Sequence, residues 1–321
     1  PLTLLMAALV VVFYVDAFLV GASLPVALGF LALGAAVMLG FLHHADHGPV
    51  QVIAATTPLF SAVAALAVLG LTRGASWPVV FSAAAVGTLG GLLERTSRNR
   101  WQGFGAAVYC GAFAGMTSAR VLDHPGWVFL AGLAAGLLFE LLRSSWSGIG
   151  GKLGSTAFLA VFATVGLTLL LGLQGPGATL HAFTGPEALA VVLIALLGSQ
   201  LTNWLSYRRG IGAVLGSALP CLPAGLLLPL PLAAAWMGAS FVGMTSPDRL
   251  SPRPRLQLLA MGVLFSGFTL GFEPSLAGIG GDLGATAAMS VFAVLGVKRL
   301  LQAWRDSNLP GSQWIRSATW R

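Results

Sequence analysis

Two segments of the chain hold the groups best suited to handling a small polar solute inside an apolar protein. Residues 147–163 read SGIGGKLGSTAFLAVFA and residues 277–293 read AGIGGDLGATAAMSVFA; without a gap, 11 of 17 positions are identical. The first supplies Gly148, Gly150, Gly151, Lys152, Ser155 and Thr156, and the second Gly278, Gly280, Gly281, Asp282 and Thr286. Glycine in a helix interior costs about 1 kcal/mol relative to alanine, so this density needs a physical reason. One reason is packing. Gly150 and Gly154, and likewise Gly280 and Gly284, have the GxxxG spacing that lets helix backbones touch. The other is a helix that starts or breaks here, leaving amides and the hydroxyls of Thr156 and Thr286 facing a solute path. Its N-terminal dipole would then favour an anion or a carbonyl oxygen.

Lys152 and Asp282 occupy equivalent places in the two copies. Charges at membrane depth are costly and face a cavity or a partner, or reach interfacial water along their stems. Glu140 and Glu273 also correspond, in LLFE at 137–140 and LGFE at 270–273. Glu140 has Arg143 three residues on, a spacing that permits pairing on one helix face. Glu273 has no basic neighbour in its run, and a carboxylate shielded by apolar residues can exchange protons. These two are the candidates for coupling to protons or a cation. The stretch FLHHADHGP offers His43, His44, Asp46 and His47, a set chemically suited to zinc or a similar metal. No second loop supplies further ligands at a clear spacing, so no cofactor is expected.

The elements that must position these residues are membrane helices. Hydrophobic residues make up 56% of the 321 positions and charged residues 8%, against about 25% charged in a soluble domain. Apolar runs near the length of about 20 residues that spans hydrocarbon recur from end to end. Twelve are expected, at about 2–22, 24–42, 50–72, 76–94, 102–118, 127–144, 148–173, 186–206, 211–229, 231–247, 256–272 and 278–300. The run LTLLMAALVVVFYVDAFLVGA has no basic flank and reads as a span rather than a signal peptide; it carries Asp16. Runs rich in Leu, Ala and Gly, without two-residue alternation, argue against a membrane β-barrel. Cys110 and Cys221 lie inside apolar runs and imply no disulfide framework.

The basic residues test the count. With both termini on one side, 15 of the 17 Lys and Arg residues fall there, and only Arg73 and Arg120 fall on the other. Positive charge is retained on the cytoplasmic face, so both termini are expected to be cytoplasmic. High Ala, Gly and Arg usage points to a GC-rich bacterial genome, so the expected location is a bacterial cytoplasmic membrane. The net charge of +7 is then the mark of basic loops, and no nucleic-acid partner is expected. In the tail, Trp304, Trp314 and Trp320 alternate with Arg, the composition of an anchor at lipid headgroups.

A second match sets the repeat. CGAFAGMTS at 110–118 aligns with GASFVGMTS at 238–246. The expected organisation is two N-terminal helices at 1–48, a five-helix unit at 49–173, a second at 185–301 and an interfacial tail at 302–321. Five is odd, so the second unit enters the membrane from the opposite side. The fold class expected is all-α and polytopic, two helices followed by an inverted 5+5 repeat. Inverted repeats are common in transporters, with sites near the midplane at the repeat interface. The function expected is movement of a small solute or ion along that interface, with membrane lipid as surroundings and self-association into a homo-oligomer compatible with the architecture. A passive channel for a small neutral or anionic solute is one alternative. An intramembrane metalloenzyme resting on HHADH, or a non-transporting subunit with basic loops for an acidic partner, are the others.

Overall fold

The computed structural model describes residues 34–40, 56–97, 101–173, 183–250, 252–276 and 278–307, and their side chains apart from those of 272–276 and 306–307. The described residues are mostly helical, with no strand among them. After a helical stretch at 34–40, the helices are α1 (Thr56–Leu69), α2 (Val79–Thr96), α3 (Phe104–Gly115), α4 (Pro125–Leu141) and α5 (Lys152–Leu170). There follow α6 (Gly185–Asn203), α7 (Ala213–Leu227), α8 (Leu230–Gly243), the short α9 (Pro247–Leu250), α10 (Pro254–Leu276) and α11 (Asp282–Ser307). The expected first span, most of the second, Asp16, the HHADH set, Trp314 and Trp320 lie outside the described residues.

Local chemistry sets the helix starts. Thr184 and Glu187 close a capping box on α6, and Pro186 stands in its first turn. His124 accepts the Gly126 amide through Nδ1 at 3.1 Å and Pro125 opens α4. Each satisfies donors that a helix start leaves orphaned. α1 and α6 both end in a π-helical turn, Gly70–Gly74 and Trp204–Arg208.

Four helical stretches are long and apolar enough to cross a membrane: Thr56–Gly74, Lys152–Leu170, Gly185–Arg208 and Asp282–Arg305. Their outward surfaces are apolar. On α6, Leu189, Leu193 and Leu197 follow one another at four-residue spacing and are all more than half exposed. A row of that kind suits a hydrocarbon surround, since water-soluble proteins seldom expose large apolar patches. The chain is therefore consistent with a helical membrane protein.

The expected spans near 102–118, 127–144, 211–229 and 231–247 are helices of only 10–17 residues. α3 has 12 residues, about 18 Å of rise against about 30 Å of hydrocarbon. It is enclosed by other helices, and all of its residues but Phe104 and Ala106 are buried. A helix surrounded by protein does not have to match the lipid thickness.

The two sets of five helices share one pattern of neighbours. α1 packs on α3 and α4, α3 on α2, α4 and α5, and α4 on α5. In the second set α6 packs on α8 and α10, α8 on α7, α10 and α11, and α10 on α11. Between the sets, α2 lies on α7 and α5 on α11. The stretch at 34–40 lies against α11, where a side chain on Gly40 would strike the Phe292 carbonyl and one on Gly296 the Ala36 carbonyl.

Candidate functional site

The two glycine segments meet. α5 begins at Lys152 and α11 at Asp282, each directly after a glycine pair. Gly148, Gly151, Gly278 and Gly281 have φ of +73°, +83°, +85° and +90°, the left-handed region that side-chain-bearing residues seldom adopt. Space is equally restricted. A Cβ on Gly154 would fall on the backbone of Gly284, and the reverse; one on Gly151 would strike the Gly284 carbonyl, and one on Gly281 the Gly154 carbonyl. Backbone touches backbone across the boundary between the two sets, but not through the expected GxxxG pairs: Gly150 and Gly280 precede their helices and lie against the ends of α8 and α3.

On either side of this crossing, the same pair of hydrogen bonds ties one set to the other. The Gly280 amide donates to Thr117 Oγ1 at 3.2 Å, and the Ser118 amide to the Gly278 carbonyl at 2.9 Å. In the other direction, the Gly150 amide donates to Thr245 Oγ1 at 3.2 Å and the Ser246 amide to the Gly148 carbonyl at 2.9 Å. Each pair seats the end of a short buried helix, α3 or α8, on the loop that opens a helix of the other set. The amides of Gly150 and Gly280 are thereby satisfied, as buried amides need to be.

The side chains around the crossing are engaged locally. Thr156 donates to the Lys152 carbonyl at 2.8 Å and Thr286 to the Asp282 carbonyl at 3.0 Å, both one turn back in their own helix. Ser155 donates to the Gly151 carbonyl at 3.0 Å and also approaches the Gly284 carbonyl at 3.3 Å. Lys152 Nζ donates to the Arg143 carbonyl at 2.9 Å. Asp282 Oδ1 accepts the amide of Leu283 at 2.6 Å. The structure therefore brings the glycines and Ser155 together, while Lys152 and Asp282 each turn toward their own set.

Glu140 is buried and accepts the Thr57 hydroxyl at 2.8 Å. Arg143 lies 3.6 Å away, the pairing its spacing predicts. Nearby, Glu94 accepts the amides of Gly103 and Gly105 at 2.7 and 2.8 Å, and Arg143 Nη2 donates to the Gln102 carbonyl at 3.0 Å. Glu273 lies in α10, with its side chain outside the described residues. Among the described residues no group of three or more His, Cys, Asp or Glu side chains could hold a metal.

Sequence reasoning passed over Thr117 and Thr245. The signal was present, because the MTS triplet is common to both copies of the upstream motif. It also passed over Arg73, whose guanidinium donates to the carbonyls of Asp123 and Leu122, each at 2.6 Å. Asn203 donates through Nδ2 to the carbonyls of Gly243 at 3.1 Å and Thr245 at 2.9 Å. Tyr207 donates to the Met244 carbonyl at 2.6 Å.

Comparison of the sequence with protein-family models and with curated proteins, and of the fold with solved structures, returned no match.

Proposed function

We propose that the chain is a membrane transport protein in which a small solute or ion passes along the interface of two inverted five-helix repeats. The repeats are residues 49–173 and 185–301, preceded by two N-terminal spans and followed by an interfacial tail at 302–321. The chain crosses the membrane about twelve times, with both termini in the cytoplasm of a bacterial cell.

The observation that carries the reading is the reciprocity of the contacts at Gly148–Gly150 and Gly278–Gly280, which a two-fold relation between the units would generate. Five crossings per unit make that axis lie in the membrane plane, as in transporters built from inverted repeats. The short enclosed helices α3 and α8, each ending against the start of a helix of the other unit, add support. A helix shorter than the hydrocarbon thickness can complete its crossing with irregular chain where protein surrounds it. Backbone contact at the crossing leaves no gap between Gly154 and Gly284, so the path runs beside the glycines and they act as its pivot. Lys152 and Asp282, each two residues before the touching glycines, are its charged candidates beside the crossing, and Glu140 and Glu273 are the residues proposed to couple it to protons or a cation.

Flux into vesicles holding the purified full-length chain tests this. The expectation is solute entry above that of protein-free vesicles, driven by an imposed proton gradient and lost in Glu273→Gln. Undiminished, gradient-driven entry in that variant removes Glu273 from coupling. Entry no faster than in protein-free vesicles, across neutral and ionic probes, removes the transport reading.

A further inference from the structure

Off the glycine crossing, the two units share a second buried contact made of hydroxyls. Tyr109 on α3 lies 3.1 Å from Ser217 Oγ on α7, and Ser217 lies 2.7 Å from Ser240 Oγ on α8. Ser240 donates to the Met237 carbonyl at 2.6 Å, and Cys221 Sγ donates to Ser240 at 3.7 Å. Tyr109, Ser217, Ser240 and Cys221 are fully buried. The cluster lies beside the repeat-related pair Phe113 and Phe241, whose rings are 4.7 Å apart.

Three observations set it apart from ordinary packing. The repeat equivalents of Tyr109 and Ser240, at the offset of the upstream motif, are Met237 and Ala112, so the fold fills the matching positions without a polar atom. The neighbourhood also holds spare hydrogen-bonding capacity. Pro220 lies inside α7 and has no N–H, which leaves the carbonyl of Gly216 without its helical donor. Next to Gly216, the buried Ser206 hydroxyl has no hydrogen-bond partner among the described residues. Finally, α3, α7 and α8 contain no Asp, Glu, Lys, Arg or His. A path between them would strip the water from an ion and return no opposite charge, whereas hydroxyls both donate and accept.

We propose that Tyr109, Ser217 and Ser240 form the selectivity site of the pathway, and that its solute is a small neutral molecule carrying both hydrogen-bond donors and acceptors. The proposal rests on the transport reading and narrows it. The solute enters at the link between Tyr109 and Ser217, the one that joins the two repeats. It exchanges their mutual bond for bonds to itself, with the Gly216 carbonyl and Ser206 hydroxyl in reserve.

The test is osmotic entry of urea and of glycerol into phosphatidylethanolamine and phosphatidylglycerol vesicles holding the full chain, followed by light scattering, beside sodium and chloride flux in the same vesicles. Wild type is expected to pass urea or glycerol faster than protein-free vesicles. Tyr109→Phe and Ser217→Ala are expected to change the urea-to-glycerol ratio about fivefold, the effect of one hydrogen bond. An unchanged ratio in Ser217→Ala, in protein that stays monodisperse, overturns the assignment even if Tyr109→Phe fails to fold. Entry of sodium or chloride without either neutral probe overturns it while leaving the transport reading in place. Entry of none of the four overturns both.

Discussion

The seat of α3 on the Gly278–Gly280 loop and the seat of α8 on the Gly148–Gly150 loop use the same two hydrogen bonds, at the same lengths. Their braces differ. The first is held from behind by Arg73, which binds the carbonyls of Leu122 and Asp123 in the turn after α3. The second is held by Asn203 and Tyr207 on the carbonyls of residues 243–245, with Arg249 Nε donating across to the Ser147 carbonyl at 3.1 Å. The part common to both is backbone, and the residues that make it possible are the glycines and threonines shared by the two copies. The part that differs is side chain. The glycines and threonines common to the two copies make the joint, and side chains particular to each copy brace it.

The strongest way to break this comparison is at the crossing. Gly154→Val and Gly284→Val each drive a side chain into the opposite backbone, and each is expected to cost about 3 kcal/mol or more, the upper range of core overpacking. Gly166 in α5, with nothing among the described residues within 4 Å of an added Cβ, is the control. Gly166→Ala should be neutral or stabilising by up to about 1 kcal/mol. Thermal unfolding of the purified variants in detergent separates the two classes. A loss at Gly154 or Gly284 no greater than the change at Gly166 would mean that the crossing accommodates a side chain and that backbone contact there does not hold the repeats together.

A smaller effect sharpens the comparison of the two seats. Thr117→Val and Thr245→Val keep the side-chain shape and remove the acceptor of one buried amide, a loss of about 1–3 kcal/mol. The two variants should fall within about 0.5 kcal/mol of each other and add in the double variant, as separate sites do. Thr→Ser at either place should restore most of the loss. Destabilisation by one variant alone would make the seats unequal partners, with the braces rather than the shared bonds carrying the load.

Much of this architecture was legible in the sequence because a repeat leaves identical letters at the places where geometry is strictest. Gly148, Gly151, Gly278 and Gly281 are matched in pairs because a positive φ and a backbone contact leave no substitute. The neighbouring Glu140 and Arg143 followed from spacing alone; the GxxxG spacing did not, because Gly150 and Gly280 precede their helices and pack on α8 and α3, leaving Gly154 and Gly284 to touch. Thr117 and Thr245 were missed since a threonine inside an apolar run reads as an ordinary membrane residue until its partner is known, and that partner lies 163 residues away for Thr117. Helix length was also misjudged. Hydropathy reports that a stretch is apolar but not whether protein or lipid surrounds it, and the 12-residue α3 is enclosed by protein. The hydroxyl cluster was hidden for a related reason. Tyr109, Ser217 and Ser240 come from three separate runs, and nothing in their local spacing links them.

The central claim is that the two units cross the membrane in opposite directions. Ala119 and Pro247 are repeat-equivalent, at the offset of the upstream motif, and both are exposed. Cysteine placed at one or the other, Ala119→Cys or Pro247→Cys, can be labelled in intact cells with a membrane-impermeant maleimide, the native Cys110 and Cys221 being buried. Labelling of Ala119→Cys in intact cells, with Pro247→Cys reacting only after the membrane is opened, is the result predicted. Labelling of both from the same side would contradict the account.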